Sequence, residues 1–233
     1  METTEILKNI GERTGGDIYL GIVGPVRVGK STFIKKFMEQ AVIPYVEDEY
    51  EKGRMIDELP QSGEGKTIMT TEPKFVPNNA ATIAFDDGFT VKVRLVDCVG
   101  FVIPEAKGYK DENGMRMVRT PWYDEAIPFN EAAKTGTQKV IQDHSTIGIV
   151  ITTDGSIADL PRDSYIEAEA EVIDELTQIG KPFIIIVNSK DPSSIQCRSV
   201  VDKLKEKTQV PVLPMAVNRL DEDDIHALLR EAL

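Results

Sequence analysis

Between an apolar run, Ile18-Tyr19-Leu20-Gly21-Ile22-Val23, and a stretch that sets Phe33, Ile34 and Phe37 on one helical face, the sequence reads Gly24-Pro25-Val26-Arg27-Val28-Gly29-Lys30-Ser31. A glycine-rich turn between a core strand and a helix converges backbone N–H groups on one point, where the helix N-terminus adds positive partial charge. Closed by Lys and Ser, the pattern is that of a phosphate-binding P-loop. Gly24 and Gly29 permit the turn, the segment from Arg27 and Val28 to Thr32 lines the phosphates, Lys30 reaches the β/γ pair, and Ser31 offers a hydroxyl to Mg²⁺. Such a loop commits the chain to an α/β sheet.

The rest of the pattern fits that architecture. Strands are expected at 18–23, 81–85, 90–96, 147–151, 183–187 and 210–213, and helices at 31–40, 131–142, 164–179, 194–207 and 221–233. In the helix at 164–179, Ile166, Ala170, Ile173 and Leu176 recur at helical spacing, and Gly180 is its stop. Asp86-Asp87-Gly88 reads as a hairpin turn, whereas the later strands alternate with helices. The expectation is a mostly parallel sheet with one antiparallel edge hairpin and helices on both faces. One domain is expected over the 233 residues, with a polar leader at 1–16 carrying Ile6, Leu7 and Ile10 at helical spacing. Residues 42–79 read as mostly loop with a short helix about 47–59, and 101–145 as a long insert holding the only tryptophan, Trp122.

Charge narrows the function. With 27 basic and 39 acidic residues the net charge is -12, which repels nucleic-acid backbones and anionic lipid. Cys98 and Cys197 have no zinc or disulfide spacing and suit a reducing cytosol, and His144 and His226 stand apart from any metal-site grouping. No apolar run approaches a membrane span, and the acidic start is unlike a secretory leader.

A second motif supports the first. Val93-Arg94-Leu95-Val96-Asp97 ends a strand in a carboxylate, the Walker B arrangement that supports Mg²⁺, and Asp97-Cys98-Val99-Gly100 completes Asp-x-x-Gly. The Gly100 N–H is positioned to touch a γ-phosphate and release when that group leaves. This order is that of GTPase-like (TRAFAC) P-loop NTPases, which place a Mg²⁺-sensing threonine in the loop between the motifs. Thr70 and Thr71 are the better candidates there, ahead of Thr67.

Base recognition departs from the GTPase pattern. Where Asn-Lys-x-Asp is expected the chain has Asn188-Ser189-Lys190-Asp191, and the later Ser-Ala element is Met215-Ala216. Asn188, Lys190 and Asp191 stay base-site candidates, with GTP and ATP both open and GTP first. At the position that orients water in Ras-like enzymes stands Phe101, which cannot hydrogen-bond a nucleophile. Arg27 is placed to curl over the β/γ bridge as an arginine finger supplied in cis, as in guanylate-binding proteins of the dynamin superfamily. Asparagine at that position helps hold potassium in some GTPases, so Arg27 is a candidate replacement for the ion. The alternative for Arg27 is an exposed residue paired with acidic neighbours.

The stretches 18–36, 65–77 (Gly65-Lys66-Thr67-Ile68-Met69-Thr70-Thr71-Glu72-Pro73-Lys74-Phe75-Val76-Pro77) and 94–100 closely resemble the stage IV sporulation protein A family. So do Thr120-Pro121-Trp122-Tyr123 and His144-Ser145-Thr146-Ile147-Gly148. The resemblance covers nearly the whole chain. It implies a morphogenetic ATPase at the base of the bacterial endospore coat, descended from translation-factor-like GTPases but using ATP and Mg²⁺, and so reverses the nucleotide ranking. It also implies hydrolysis-driven self-association into a static polymer in the mother-cell cytoplasm at the forespore outer membrane. Other coat proteins and a small amphipathic membrane-anchoring protein are the implied partners. Lys30, Asp97, Thr70 and Thr71 match the family's Walker A, Walker B and sensor positions. Family members are longer, so the chain reads as an N-terminal ATPase domain without the family's C-terminal domains. Two rival readings rest on the residues alone: a GTPase switch of the translation or ribosome-assembly type, and a nucleotide-binding scaffold without significant hydrolysis.

Overall fold

Strands β8 (Ile147–Thr153) and β9 (Phe183–Asn188) are buried along their whole length, the signature of parallel strands covered on both faces. A computed structural model describes residues 2–60, 73–84, 88–98, 100–105, 110–111 and 114–231. It places these strands in a six-stranded sheet of order β10-β9-β8-β1-β3-β2, completed by β1 (Asp17–Val23), β2 (Lys74–Ala84), β3 (Thr90–Asp97) and β10 (Val212–Met215). Every pairing is parallel except β2 against β3, so the antiparallel hairpin is at one edge, as expected.

Alternation on β1 separates the two helical layers. A side chain at Gly21 would run into Ile141 of α4 (Phe129–His144) and Ser145 at that helix's C-cap, while the flanking Leu20 and Ile22, also buried, point to the opposite face. The other helices are α1 (Glu2–Thr14), α2 (Lys30–Phe37), α3 (Glu49–Glu58), α5 (Asp163–Ile179), α6 (Ile195–Lys207) and α7 (Glu222–Glu231). Local chemistry sets several ends. Asp48 Oδ1 accepts from the amides of Tyr50 at 2.8 Å and Glu51 at 3.0 Å to start α3, and Ser194 Oγ accepts from Cys197 N at 3.1 Å to start α6. Among the described residues no helix is long and apolar enough to cross a membrane.

The leader is helical, as the spacing of Ile6, Leu7 and Ile10 indicates: it forms α1, and these three residues are buried in the main core because α1 packs on β1, β3 and α7. Three expectations are corrected. Strand β2 begins at Lys74 rather than 81; its pairing shifts register between Val76 and Ala81, and Pro77, Asn78 and Asn79 within that interval break the alternation that would have marked it. Strand β10 lies two residues later than 210–213, which carries Met215 to the sheet's C-terminal edge. On α5 the buried face is Tyr165, Ala168, Glu169, Val172, Ile173 and Leu176, while Ile166 is 42% exposed and Ala170 is exposed. Two polar groups hide that face from a hydrophobic count. Glu169 is buried because Arg162 Nη2 donates to it at 2.6 Å.

Within 101–145 the chain forms the short pairs β4 (Lys110–Asp111) with β5 (Gly114–Met115) and β6 (Met117–Thr120) with β7 (Tyr123–Pro128), then α4. Trp122 is in the β6–β7 turn. Helix α2 is shorter than 31–40 and passes into a π-helical turn, Met38–Val42. The Asp86-Asp87 part of the hairpin turn lies outside the described residues.

Candidate active site

Sheet register assembles the site. Ile22 of β1 pairs with Asp97 of β3, and Thr153 of β8 and Met215 of β10 both pair with Asn188 of β9. The carboxyl ends of these strands therefore surround the loop that leaves β1, the crevice in which parallel α/β sheets bind ligands. Gly24 opens that loop at φ 142, where a Cβ would overlap the Ile151 carbonyl. Arg27 has φ 62, the one positive value among described non-glycine residues. The first intrahelical bond of α2 runs from Phe33 N to Gly29 O at 2.9 Å, so the amides of Lys30, Ser31 and Thr32 precede it at the helix N-terminus.

Lys30 is 7% exposed, and its Nζ donates to the carbonyls of Pro25 at 2.7 Å and Gly24 at 3.3 Å. Burial pulls its pKa down to about 8, partly offset by Asp97. Ser31 Oγ donates to Asp97 Oδ2 at 2.9 Å, and burial raises the Asp97 carboxyl against the opposing pull of Lys30 and Ser31. A hydroxyl and a carboxylate in contact beside a phosphate cradle fit Mg²⁺, which takes hard oxygen ligands, one or two from protein and the rest from phosphate and water. Among the described residues no cluster of three or more His, Cys, Asp or Glu could hold a metal by itself. Thr67, Thr70 and Thr71 lie outside the described residues.

The Asp-x-x-Gly segment is zipped to the P-loop. Phe101 N donates to Gly24 O at 3.1 Å and Val26 N to Phe101 O at 2.9 Å, a parallel bridge between Pro25 and Phe101. Phe101 is 3% exposed, so its ring serves as an apolar anchor. Gly100 is pressed against Lys30 Nζ, Val26 N and Gly24 O.

At the base end Asn188 acts as a staple. Its Nδ2 donates to Val28 O at 2.8 Å and its Oδ1 accepts from Val217 N at 3.1 Å, tying the P-loop to the loop after β10. Asn188→Ala leaves both backbone groups unpaired, and a stability loss of about 2–3 kcal/mol is expected in denaturant unfolding. A loss under about 0.5 kcal/mol would show that the staple carries nothing. Ser189 is fully buried, donating to Asp154 Oδ2 at 2.6 Å and accepting from Asp191 N at 3.1 Å. Asp154 Oδ1 also holds Ser156 Oγ at 2.6 Å, and Ser156 Oγ accepts from Lys190 N at 3.0 Å. Asp191 is exposed, and its Oδ1 accepts from Ser193 Oγ at 2.6 Å and Ser193 N at 3.0 Å, which holds its carboxyl below the usual range. Asp154, Ser156 and Ser193 escaped the sequence reading. The one signal was Thr152-Thr153-Asp154-Gly155, a buried strand ending in a carboxylate.

The fold and sequence both have relatives. A crystal structure of an SsGBP variant superposes at TM-score 0.50 with 14% identity, over 99% of this chain and 63% of the other, a likeness of fold alone. Stage IV sporulation protein A of Bacillus subtilis is 60% identical over 233 residues, all of this chain and 47% of that protein. Its Clostridioides difficile counterpart is 51% identical over 228 residues, 98% of this chain and 46% of that protein. The chain thus spans about half the length of the curated relatives it matches. The model of the ATPase domain of stage IV sporulation protein A matches residues 1–233, and the chain belongs to that sporulation family.

Proposed function

We propose that this chain binds ATP with Mg²⁺ and hydrolyses it, and that in the whole protein hydrolysis drives self-association into the basement layer of the spore coat. The observation that carries the hydrolytic reading is the joined constellation of Lys30, Ser31 and Asp97 beneath a zipped Asp-x-x-Gly segment. Ser31 and Asp97, with Thr70 or Thr71, would hold Mg²⁺, which would supply charge neutralisation at the phosphates. Lys30, the Gly100 amide and the loop amides then stabilise charge that grows on the β–γ oxygens as the phosphoryl group departs. Arg27 adds a guanidinium to that charge in cis. Phe101 contributes no polar group, which puts the weight of catalysis on charge stabilisation.

Adenine is favoured because the guanine-reading positions are otherwise engaged. Ser189 is committed to Asp154, Asp191 Oδ1 to Ser193, and Met215 replaces the hydroxyl of the Ser-Ala element. Assembly, the coat and membrane-anchoring partners, and a place at the forespore surface in the mother-cell cytoplasm belong to the same proposal.

Phosphate release by the chain offered ATP or GTP tests it, with Lys30→Ala as background. ATP cleavage well above GTP is expected. Faster GTP cleavage supports the translation-type GTPase reading, and no cleavage of either leaves a scaffold. Arg27→Ala and Arg27→Lys, assayed with and without potassium, are expected to be slow; unchanged rates throughout would exclude the finger.

A further inference from the structure

Among the described residues the two most exposed large apolar side chains are Ile195, at 85%, and Tyr50, at 82%. Each begins a stripe along one helix. On α3 Tyr50, Gly53 and Ile56, the last 55% exposed, fall on one side of the axis. On α6 Ile195 heads Arg198, Ser199, Asp202, Lys203 and Glu206, which together line an open depression of about 490 Å³. A single exposed hydrophobic needs no explanation, but two of them flanking a glycine make a patch.

Gly53 gives that patch its shape. Glycine inside a helix costs stability relative to alanine, and no neighbouring atom lies within 4 Å of the place its Cβ would take. The bare backbone between Tyr50 and Ile56 therefore suits an approach from outside, and charge indicates by what. Helix α3 carries Glu49, Glu51, Asp57 and Glu58 against Lys52 and Arg54, and both cations are paired within the helix, Lys52 with Glu49 at 2.7 Å and Arg54 with Glu58 at 2.9 Å. Helix α6 has the opposite balance, Arg198, Lys203, Lys205 and Lys207 against Asp202 and Glu206. One chain thus presents an acidic face and a basic face, each with exposed apolar side chains. They stand at opposite edges of the sheet, α3 packed on β2 and α6 on β9 and β10.

We propose that α3 of one copy docks on α6 of a second copy, with Gly53 at the crossing and Tyr50 in the depression headed by Ile195. The contact joins unlike surfaces at opposite edges, so every copy added leaves one face of each kind open, and repetition builds a chain of copies rather than a closed dimer. This rests on the reading that the whole protein self-associates, and names the surfaces that do it. Followed by sedimentation in the whole protein with ATP and Mg²⁺, Gly53→Leu is expected to unfold at a higher temperature than the parent, because leucine suits the helix and meets open space. The same variant is expected to need about tenfold or more protein to assemble, since its side chain holds the partner helix away. A role confined to the fold would not move the two readings in opposite directions.

Two further variants test the pairing itself. Tyr50→Ala with Ile56→Glu disables the α3 face, and Ile195→Glu with Lys203→Glu disables the α6 face; each alone is expected to stay monomeric where the parent assembles. Mixed in equal amounts they should give one-to-one dimers and nothing larger, each supplying the face the other lacks. Parent-like assembly of any of these variants would overturn the proposal, and so would a mixture that remains monomeric, because the two faces would then not meet each other. A parent that never assembles would remove the self-association reading and this pairing with it, whereas an assembling parent beside unaffected variants removes the pairing alone.

Discussion

A Lys30→Met chain is expected to release phosphate only at the background rate and yet to unfold no more easily than the parent. On the proposed mechanism the catalytic loss follows from removing the cation assigned to the transferring phosphoryl group, a loss of about a thousandfold or more. Stability goes the other way because the ammonium is 7% exposed with two carbonyls for company. Burial lowers its pKa from 10.5 to about 8, and a cationic group whose folded pKa lies below its unfolded one costs stability. That cost, about 3 kcal/mol, is complete below pH ~8, where both states carry the proton. It is relieved as pH rises from about 8 towards 10.5, where the folded chain sheds the proton before the unfolded one. Methionine removes the cost but leaves the Gly24 and Pro25 carbonyls without this donor, at roughly 1 kcal/mol each. The net expectation at neutral pH is a gain of up to about 1–2 kcal/mol in denaturant unfolding, shrinking at alkaline pH as the parent recovers. A marked loss of stability at pH 7 would show that the ammonium is better compensated than two carbonyls and Asp97 allow.

The features that decide the fold are the ones the sequence states locally. The glycines, Lys30 and the strand before them are adjacent in the chain, and Asp97 closes a strand whose parallel pairing brings it to Ile22. What escaped depends on distant partners. Ser189 alone looks like a lost lysine; the fold brings Asp154, 35 residues earlier, into contact with it and makes the pair part of the site floor. Glu169 interrupts the apolar period of α5, and only its partner Arg162 explains its burial. Strand β2 before Ala81 is a strand because β3 accepts it. Helix α1 reads as polar because only a narrow stripe of it meets the sheet and α7. Phe101 shows the same limit from the other side. Its missing amide was legible, but its role as the anchor of the zipper needed the bonds to Gly24 and Val26.

That zipper makes Gly100→Ala the other substitution of large effect. A Cβ at position 100 would stand 2.6 Å from Val26 N and 2.7 Å from Gly24 O, besides crowding Lys30 Nζ. The amine can swing aside, but the two backbone atoms belong to a loop held elsewhere by Asn188 and cannot retreat cheaply. The segment must therefore lift from the P-loop, breaking the bonds Phe101 N to Gly24 O and Val26 N to Phe101 O and loosening a ring that is 3% exposed. Two hydrogen bonds at about 1 kcal/mol each and partial exposure of a phenylalanine amount to roughly 3–4 kcal/mol. On the proposed mechanism the same displacement takes the Gly100 amide away from the γ-phosphate, so turnover is expected to vanish even where the variant remains folded. Thermal unfolding and phosphate release measured on one preparation separate the two effects. A variant with parent-like stability would mean that the zipper opens without cost, whereas a destabilised variant with parent-like turnover would show that the Gly100 amide does not touch the departing phosphoryl group.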